Sequence, residues 1–392
     1  MGLYTEYINK RLTFEQVTKE RKAQLKRISE IRGRDIIVYA SDSSKGNAPV
    51  SILPQDFMPF KDQLSFIKST SELDILIETP GGIAETVEDI VHILRSKFER
   101  LGIIIPGSAK SAGTIFAMAG DEILMGNASA LGPIDAQVVS NGKRFSADAF
   151  LDGLEKIKKE ISKTGKLNPA YIPMLQNISP GEIQHFENAQ SFSQSLVTKW
   201  LSEYKFKYWE KHSSTGKMVT IKEKEKRAKE IAKALCKHSD WLTHGRSIRI
   251  KDLEALRLVV TNYSKNKDLE DAIDRYFTLL RLTFDITGIY KVFETVDSQI
   301  YQSASQQIGP TMKKPSAKVA PTSANADIKC PKCGKQHKIQ LNLARNVKLE
   351  KGSLRYPEND NFVCDNCNTQ TNLLTLRMQL EAQTGMKVVL KG

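Results

Sequence analysis

The residues best suited to do chemistry stand in two places. In the first, Ser111 follows the turn Pro106-Gly107-Ser108 and opens a run of small residues that reads as a short helix through Ala119. A serine at a helix N-terminus lies among backbone N–H groups without intrahelical partners, where an oxyanion is stabilised. An earlier turn, Thr79-Pro80-Gly81-Gly82, has two residues with no side chain to block approach, and its glycines can lend a second N–H group. The chemistry outlined is acyl transfer, with Ser111 as nucleophile and the N–H groups of Gly82 and Ala112 as the oxyanion hole beside Gly81. In the second place, Cys330-Pro-Lys-Cys333 and Cys364-Asp-Asn-Cys367 form two CxxC knuckles. Their four thiolates suit one tetrahedral zinc ion, and four filled positions point to a structural site rather than a catalytic one.

Both turns need a frame. Asp74–Glu78 and Leu101–Ile105 are β-branched, largely apolar runs, and Thr86–Phe98 between them repeats apolar residues at helical spacing. This is a parallel βαβ unit with a right-handed crossover, and both turns open at the carboxyl edge of its sheet, where open α/β folds build their sites. Asp35–Ala40 reads as the first strand of this core, which is expected over 35–145. Residues 1–34 read as a helical segment outside it, and Gln55–Lys68 as an amphipathic helix. The pattern then stays helical over 146–303, beginning with a helix at Ser146–Lys163 that presents Phe150, Leu154, Ile157 and Ile161 on one face. Residues 304–326, rich in Ser, Pro, Ala and Lys, read as a linker. The knuckles lie in a β zinc ribbon over 327–392, with strands expected at Lys338–Leu343 and Asn346–Leu349.

Composition narrows the class. The 392 residues are ample for two domains, and the five cysteines divide into a lone Cys236, read as a core residue, and the two knuckles. The start of the chain has no apolar signal core and does not fit the myristoylation pattern, and no run approaches the length of a membrane helix, so a cytoplasmic protein is expected. The net charge of +13 raises the question of nucleic acid. Between Lys205 and Lys237, however, the charges alternate in sign without interleaved aromatic residues, which favours a solvated helix face.

The ordered set PGG, SAGT and MGNASALGPIDAQ resembles the Clp/crotonase superfamily, and in particular the serine dehydrogenase proteinase family, related to signal peptide peptidases and Clp-type peptidases. The resemblance covers roughly 35–295, with His244-Gly245-Arg246 and Tyr290–Glu294 as further landmarks. It implies a repeated ββα core with helical additions, a serine peptidase acting on protein or peptide substrates, closed homo-oligomers, and Ser111 as nucleophile where the residue alone would read as a helix cap. Where the Clp-type pattern places a histidine, this chain has Ile134-Asp135-Ala136. The signal-peptide-peptidase branch instead uses a lysine from a helix after the serine, and Lys158, about 40° from the centre of the apolar face at Leu154, is the candidate base. The competing reading of Lys158 is a surface lysine at the margin of that face. Asp135 is expected to orient the base, bind substrate or cap a turn, and His244 to serve packing. Two alternatives remain: a crotonase-like acyl-CoA enzyme with Asp135 as acid/base, and a non-catalytic scaffold whose ribbon and basic face bind protein or nucleic acid.

Overall fold

Alternation of buried side chains builds the central sheet. In β1 (Asp35–Ser41), which follows α1 (Leu3–Asn9) and α2 (Phe14–Arg32), Ile37 and Tyr39 enter one apolar layer, and Ile36, Val38 and Ala40 the opposite one. A strand flanked by helices on both faces needs this two-sided apolar pattern. The computed structural model describes residues 2–68, 71–140, 142–176, 178–212, 214–303, 322–384 and 386–390. They fall into two compact units divided at Ile308/Gly309.

In the first unit α3 (Phe57–Gln63), β2 (Glu72–Glu78), α4 (Ala84–Arg95), β3 (Arg100–Ile105), β4 (Ser108–Ala109), α5 (Ala112–Ala117), β5 (Glu122–Met125) and β6 (Ala130–Leu131) follow β1. A hairpin of β7 (Gln137–Ser140) and β8 (Lys143–Ser146) leads to α6 (Ala147–Thr164), α7 (Ile172–Leu175), α8 (Pro180–Trp200), α9 (Ile221–Cys236), α10 (His238–Trp241) and α11 (Ile250–Ala255). The chain then returns through β9 (Thr261–Asn262), α12 (Lys267–Asp285), β10 (Ile289–Glu294) and β11 (Gln299–Ser303). The main sheet has the order β11-β10-β1-β2-β3-β5-β9, parallel from β1 through β9 and antiparallel at β10 and β11. The βαβ unit read from the sequence is present as β2-α4-β3, in the α/β fold expected.

The sequence reading of 146–303 as helical throughout is corrected at its end, because β10 and β11 belong to the main sheet. All six residues of β10 are buried, and two of them are charged. Lys291 donates to both carboxylate oxygens of Asp56, at 2.8 and 2.7 Å, and Arg21 donates to Glu294 at 2.8 and 3.0 Å. Pairing offsets the desolvation penalty that each buried charge carries, and those charges disguise the strand in the sequence. The landmark Tyr290–Glu294 thus locks the sheet edge to α2 and to the turn around Asp56.

The second unit comprises β12 (Ser323–Lys329), β13 (Gln336–Asn342), β14 (Leu354–Arg355), β15 (Asn361–Val363), β16 (Gln370–Asn372) and α13 (Leu374–Thr384). Of the linker expected over 304–326, residues 304–321 lie outside the described residues, whereas from Ser323 the chain is already a strand, so the ribbon begins before 327. The strand expected at Lys338–Leu343 is β13. The one expected at Asn346–Leu349 is instead turn and coil, because Asn346 takes a left-handed φ of 61° that ends the extended run.

Candidate active site and thiol cluster

The turn after β2 is held from below. Ser51 O accepts from Lys291 Nζ at 2.7 Å, and Leu53 N–H donates to Asp56 at 2.9 Å, which fixes the segment between them. Ile52 then forms a bridge to Gly82, with Ile52 N–H donating to Gly81 O at 2.8 Å and Ile83 N–H donating to Ile52 O at 2.9 Å. In such a bridge the N–H of the middle residue, Gly82, is not used by the partner segment. The glycines are required by space. A Cβ on Gly82 would stand 2.3 Å from Ile52 N and O, and one on Gly81 2.6 Å from the Ser111 Cβ.

The turn after β3 crosses this one. Thr79 N–H donates to Ser108 O at 2.9 Å, Lys110 N–H donates to Thr79 O at 3.0 Å, and β4 pairs with β6 in parallel. Thr114 Oγ lies 2.8 Å from Ala109 O and accepts from Gly132 N–H at 2.9 Å, so the SAGT and LGPID stretches are in direct contact. Ser111 sits at the crossing with φ 51° and ψ −119°, an uncommon conformation for a residue with a Cβ. Its side chain makes no cap to α5, which removes the reading of Ser111 as a helix cap. At six residues α5 has little macrodipole. Ser108, the other serine of the turn, is engaged elsewhere: its N–H and hydroxyl donate to Glu78 at 2.7 and 3.1 Å. Burial pushes the Glu78 carboxyl up to about 7 against those hydrogen bonds.

Ser111 opens into a cleft of about 1280 Å³ whose walls include Gly81, Gly82, Ala112, Ile115, Asp135, Val139, Phe192 and His244. Asp135 is buried at its base and accepts from His244 Nδ1 at 2.7 Å through one oxygen. Its other oxygen accepts from His238 Nδ1 at 2.9 Å and from Gln137 at 3.0 Å. Burial alone would raise the Asp135 carboxyl; the hydrogen bond and charge of His244, then the bonds from His238 and Ser146, outweigh it and hold the group below its ordinary value. A carboxylate only accepts, so the proton of a neutral His244 is on Nδ1, leaving Nε2 as a bare acceptor on a ring that lines the cleft with Ser111. A base with that tautomer can take a proton from a hydroxyl.

The structure brings Gly81, Gly82, Ser111, Ala112 and Asp135 to one cleft and leaves Lys158 out. Lys158 is fully exposed on α6, pairs with Glu155 at 2.7 Å, and is raised above the usual lysine value first by that hydrogen bond. A buried neutral lysine is the opposite case. The lysine beside the nucleophile is Lys110, which burial, then the charge of Arg249, lowers to about 8. Its ammonium contacts Leu131 O at 2.8 Å, Arg246 O at 3.1 Å and Ser247 Oγ at 3.0 Å, so its protons are occupied in tying the segment after His244 to β6. The residue that sequence reasoning left to packing is His244, which lies 133 positions after Ser111 by subtraction of their numbers. The signal that could have found it was the motif His244-Gly245-Arg246 itself. Cys236 is buried, and burial pushes its thiol up to about 12, as expected for an inert core residue.

In the second unit Cys330, Cys333, Cys364 and Cys367 gather so that their sulfurs all lie within 4.8 Å of one another. The two knuckles are folded alike. Cys330 N–H donates to Lys335 O and Cys364 N–H to Thr369 O, while Gly334 N–H and Asn368 N–H return to Cys330 O and Cys364 O. Gly334 and Asn368 both take left-handed φ angles, of 74° and 55°. Each knuckle thereby turns two thiols to one point, as a bound metal ion requires. His337 Nε2 lies 3.3 Å from Cys364 Sγ and its ring packs edge-on against Phe362.

Among the described residues no helix is long and apolar enough to cross a membrane. Two uncharacterised proteins of Methanocaldococcus jannaschii are similar to parts of the chain, one at 34% identity over 22% of this chain and 30% of its own length, the other at 36% over 17% and 23%. The matches therefore span less than a third of those relatives. Among solved structures, a mutant of the 1510-N membrane-bound stomatin-specific protease in complex with a substrate peptide aligns at 16% identity, with a TM-score of 0.26, over 39% of this chain and 56% of that one. A second mutant of the same protease aligns at 20% identity, with a TM-score of 0.24, over 54% and 88%. Residues 3–170 match the model of the ClpP-like SDH-type serine proteinases. The matched stretch holds Ser111, Asp135 and both glycine turns, and over it the chain is similar to that family.

Proposed function

We propose that the first unit hydrolyses peptide bonds with Ser111 as nucleophile, His244 as general base and Asp135 as the carboxylate that orients it. Ser111 Oγ attacks the scissile carbonyl while His244 Nε2 takes its proton, and the N–H groups of Gly82 and Ala112 receive the negative charge that develops on the carbonyl oxygen. The imidazolium then returns the proton to the leaving amine, and a water deprotonated by the same ring releases the acyl group. The observation that carries this reading is the His244–Asp135 hydrogen bond of 2.7 Å on a ring that lines the Ser111 cleft. His244 takes the place in which the sequence reading had Lys158. A crotonase-like enzyme would need no strained serine, and the conformation of Ser111 favours the peptidase over it. The test is cleavage of unstructured peptides by purified protein: activity is expected in the wild type and absent in Ser111→Ala, and undiminished cleavage by that variant overturns the reading.

The second unit is read as a zinc ribbon that recruits a substrate or partner. Zn–S bonds of about 2.3 Å define a tetrahedron with edges of about 3.8 Å, and the sulfur pairs Cys330–Cys367 and Cys333–Cys364 stand 3.5 and 3.7 Å apart. Four ligand thiols suit a reducing compartment such as the cytoplasm. Self-association is supported by apolar side chains on the helices after β8, where Ile172 and Met174 are exposed.

A further inference from the structure

Asp135 holds two imidazoles, and the reaction proposed above uses one. The second, His238, stands behind Asp135 and is not among the residues that line the cleft. It nevertheless donates through Nδ1 to Asp135 Oδ2 at 2.9 Å, on the side of the carboxylate away from His244. The backbone of His238 is itself held, because its N–H donates to Asp148 Oδ2 at 2.8 Å. The other oxygen of Asp148, on α6, accepts from Gln190 Nε2 on α8 at 2.5 Å. The neighbours of Gln190 on that helix, Asn188, Ala189, Ser191 and Phe192, line the cleft. A path therefore runs from beside a cleft wall through Gln190 and Asp148 to the backbone of His238, and from its ring through Asp135 to His244.

We propose that His238 is a positioning residue for the Ser111 reaction, and that through it the α6–α8 wall sets the orientation of the carboxylate that aligns His244. The proposal rests on the peptidase reading of Ser111. A carboxylate turns about its bond to Cβ, and without His238 that rotation would be limited, besides His244, by the Gln137 amide at 3.0 Å on Oδ2 and the hydroxyl of Ser146. The His238 ring, whose backbone is itself held by Asp148, adds to Gln137 a second and more rigid donor on Oδ2, which fixes the plane and directs Oδ1 at His244 Nδ1. Precise alignment of a base carries large rate factors, and a displacement of about 1 Å can cost a hundredfold. The effect is expected in kcat, since His238 acts on the alignment of the base through Asp135. Displacement of α8 by a peptide in the cleft would be transmitted along the same path, so an occupied cleft and an aligned base are coupled.

The test compares His238→Ala with His238→Asn in the full-length protein. The asparagine amide nitrogen is as many bonds from Cα as the imidazole Nδ1 and donates in its place. His238→Ala is expected to lower kcat for peptide cleavage by about ten- to a hundredfold with KM within about twofold. His238→Asn should recover to within about threefold of wild type, and Gln190→Ala should lower kcat by about two- to fivefold. Wild-type kcat in His238→Ala overturns the proposal, as does a His238→Asn variant that melts like wild type yet loses kcat tenfold or more. If His238→Ala inactivates as fully as His244→Ala and His238→Asn does not rescue it, His238 does more than position Asp135 and the proposal fails. Loss of the peptidase reading has a different signature, namely wild-type and Ser111→Ala proteins with equal activity, and it removes the proposal with it.

Discussion

The Ser111 cleft and the cysteine knuckles both use residues with left-handed backbone to aim reactive atoms at one point, yet they are held in different ways. Each knuckle closes on itself: Cys330 and Cys364 bond to carbonyls five residues on, and the four sulfurs come from two segments of four residues each. The module around them has a small core, centred on Ile339, Leu341, Tyr356 and Phe362. Ser111, by contrast, is fixed by elements from the whole of the first unit: the Ile52 bridge, the β4–β6 pair, and a loop beyond α9 that brings His244 to Asp135. A site built from local turns depends on its metal for order, whereas a site built from distant segments depends on the core that gathers them.

The largest effect expected from that difference is at His244. His244→Ala should lower kcat for peptide cleavage by about a thousandfold or more, as removal of a triad base does, and Lys158→Ala should leave it unchanged. A strong loss in Lys158→Ala with activity retained in His244→Ala would return the base to the lysine and break the long-range half of the comparison. Next is Gly82→Ala, whose Cβ would stand 2.3 Å from the Ile52 backbone. It should displace one oxyanion donor and lower kcat by about a hundredfold, with a destabilisation of about 1–3 kcal/mol; kinetics indistinguishable from wild type would remove Gly82 from the oxyanion hole.

These two residues also show what the sequence could reveal. Ser111, the PGG turn and the knuckles were legible because each is a local pattern whose backbone chemistry dictates residue type: no side chain fits at Gly82, and two thiols three residues apart can reach one ion. The βαβ unit was legible for the same reason, through the alternation and helical spacing of its apolar residues. His244 was not, since the motif His244-Gly245-Arg246 marks the position without telling a histidine that meets a carboxylate 109 residues away from one that packs. The helix bearing Lys158 was correctly placed at Ser146–Lys163, but its period gave only a face, and the structure turns Lys158 to solvent with Glu155. Strand β10 escaped because Lys291 and Glu294 look like surface charges until Asp56 and Arg21 are seen beside them.

A smaller effect is expected at Glu78, whose carboxyl is raised from 4.5 to about 7, chiefly by burial. A raised acid favours its protonated form in the folded protein, so its contribution to stability is complete below about pH 4.5 and is lost as pH rises through 7. Glu78→Gln, neutral at every pH, should therefore match wild type in acid and become more stable than it by about 1–3 kcal/mol at pH 8. Denaturant melts at several pH values check this, and a difference independent of pH contradicts it. The smallest effect on the first unit should come from the second. Chelation or Cys364→Ser should unfold the ribbon, seen as lost amide protection after residue 322, while hydrolysis of a small ester changes by less than about twofold. Elemental analysis should find one zinc per chain. Loss of ester hydrolysis on stripping the metal would show that the two regions are not held independently.

The central claim is that Ser111 is a nucleophile activated by a histidine fixed on Asp135. It is tested most directly by a serine-reactive fluorophosphonate, with the adduct located by peptide mass mapping in the wild type, Ser111→Ala and His244→Ala. The expected result is one adduct per chain on the peptide containing Ser111, absent in Ser111→Ala and formed at least a hundredfold more slowly in His244→Ala. An adduct on another residue, or labelling of Ser111 at the wild-type rate without His244, would contradict it.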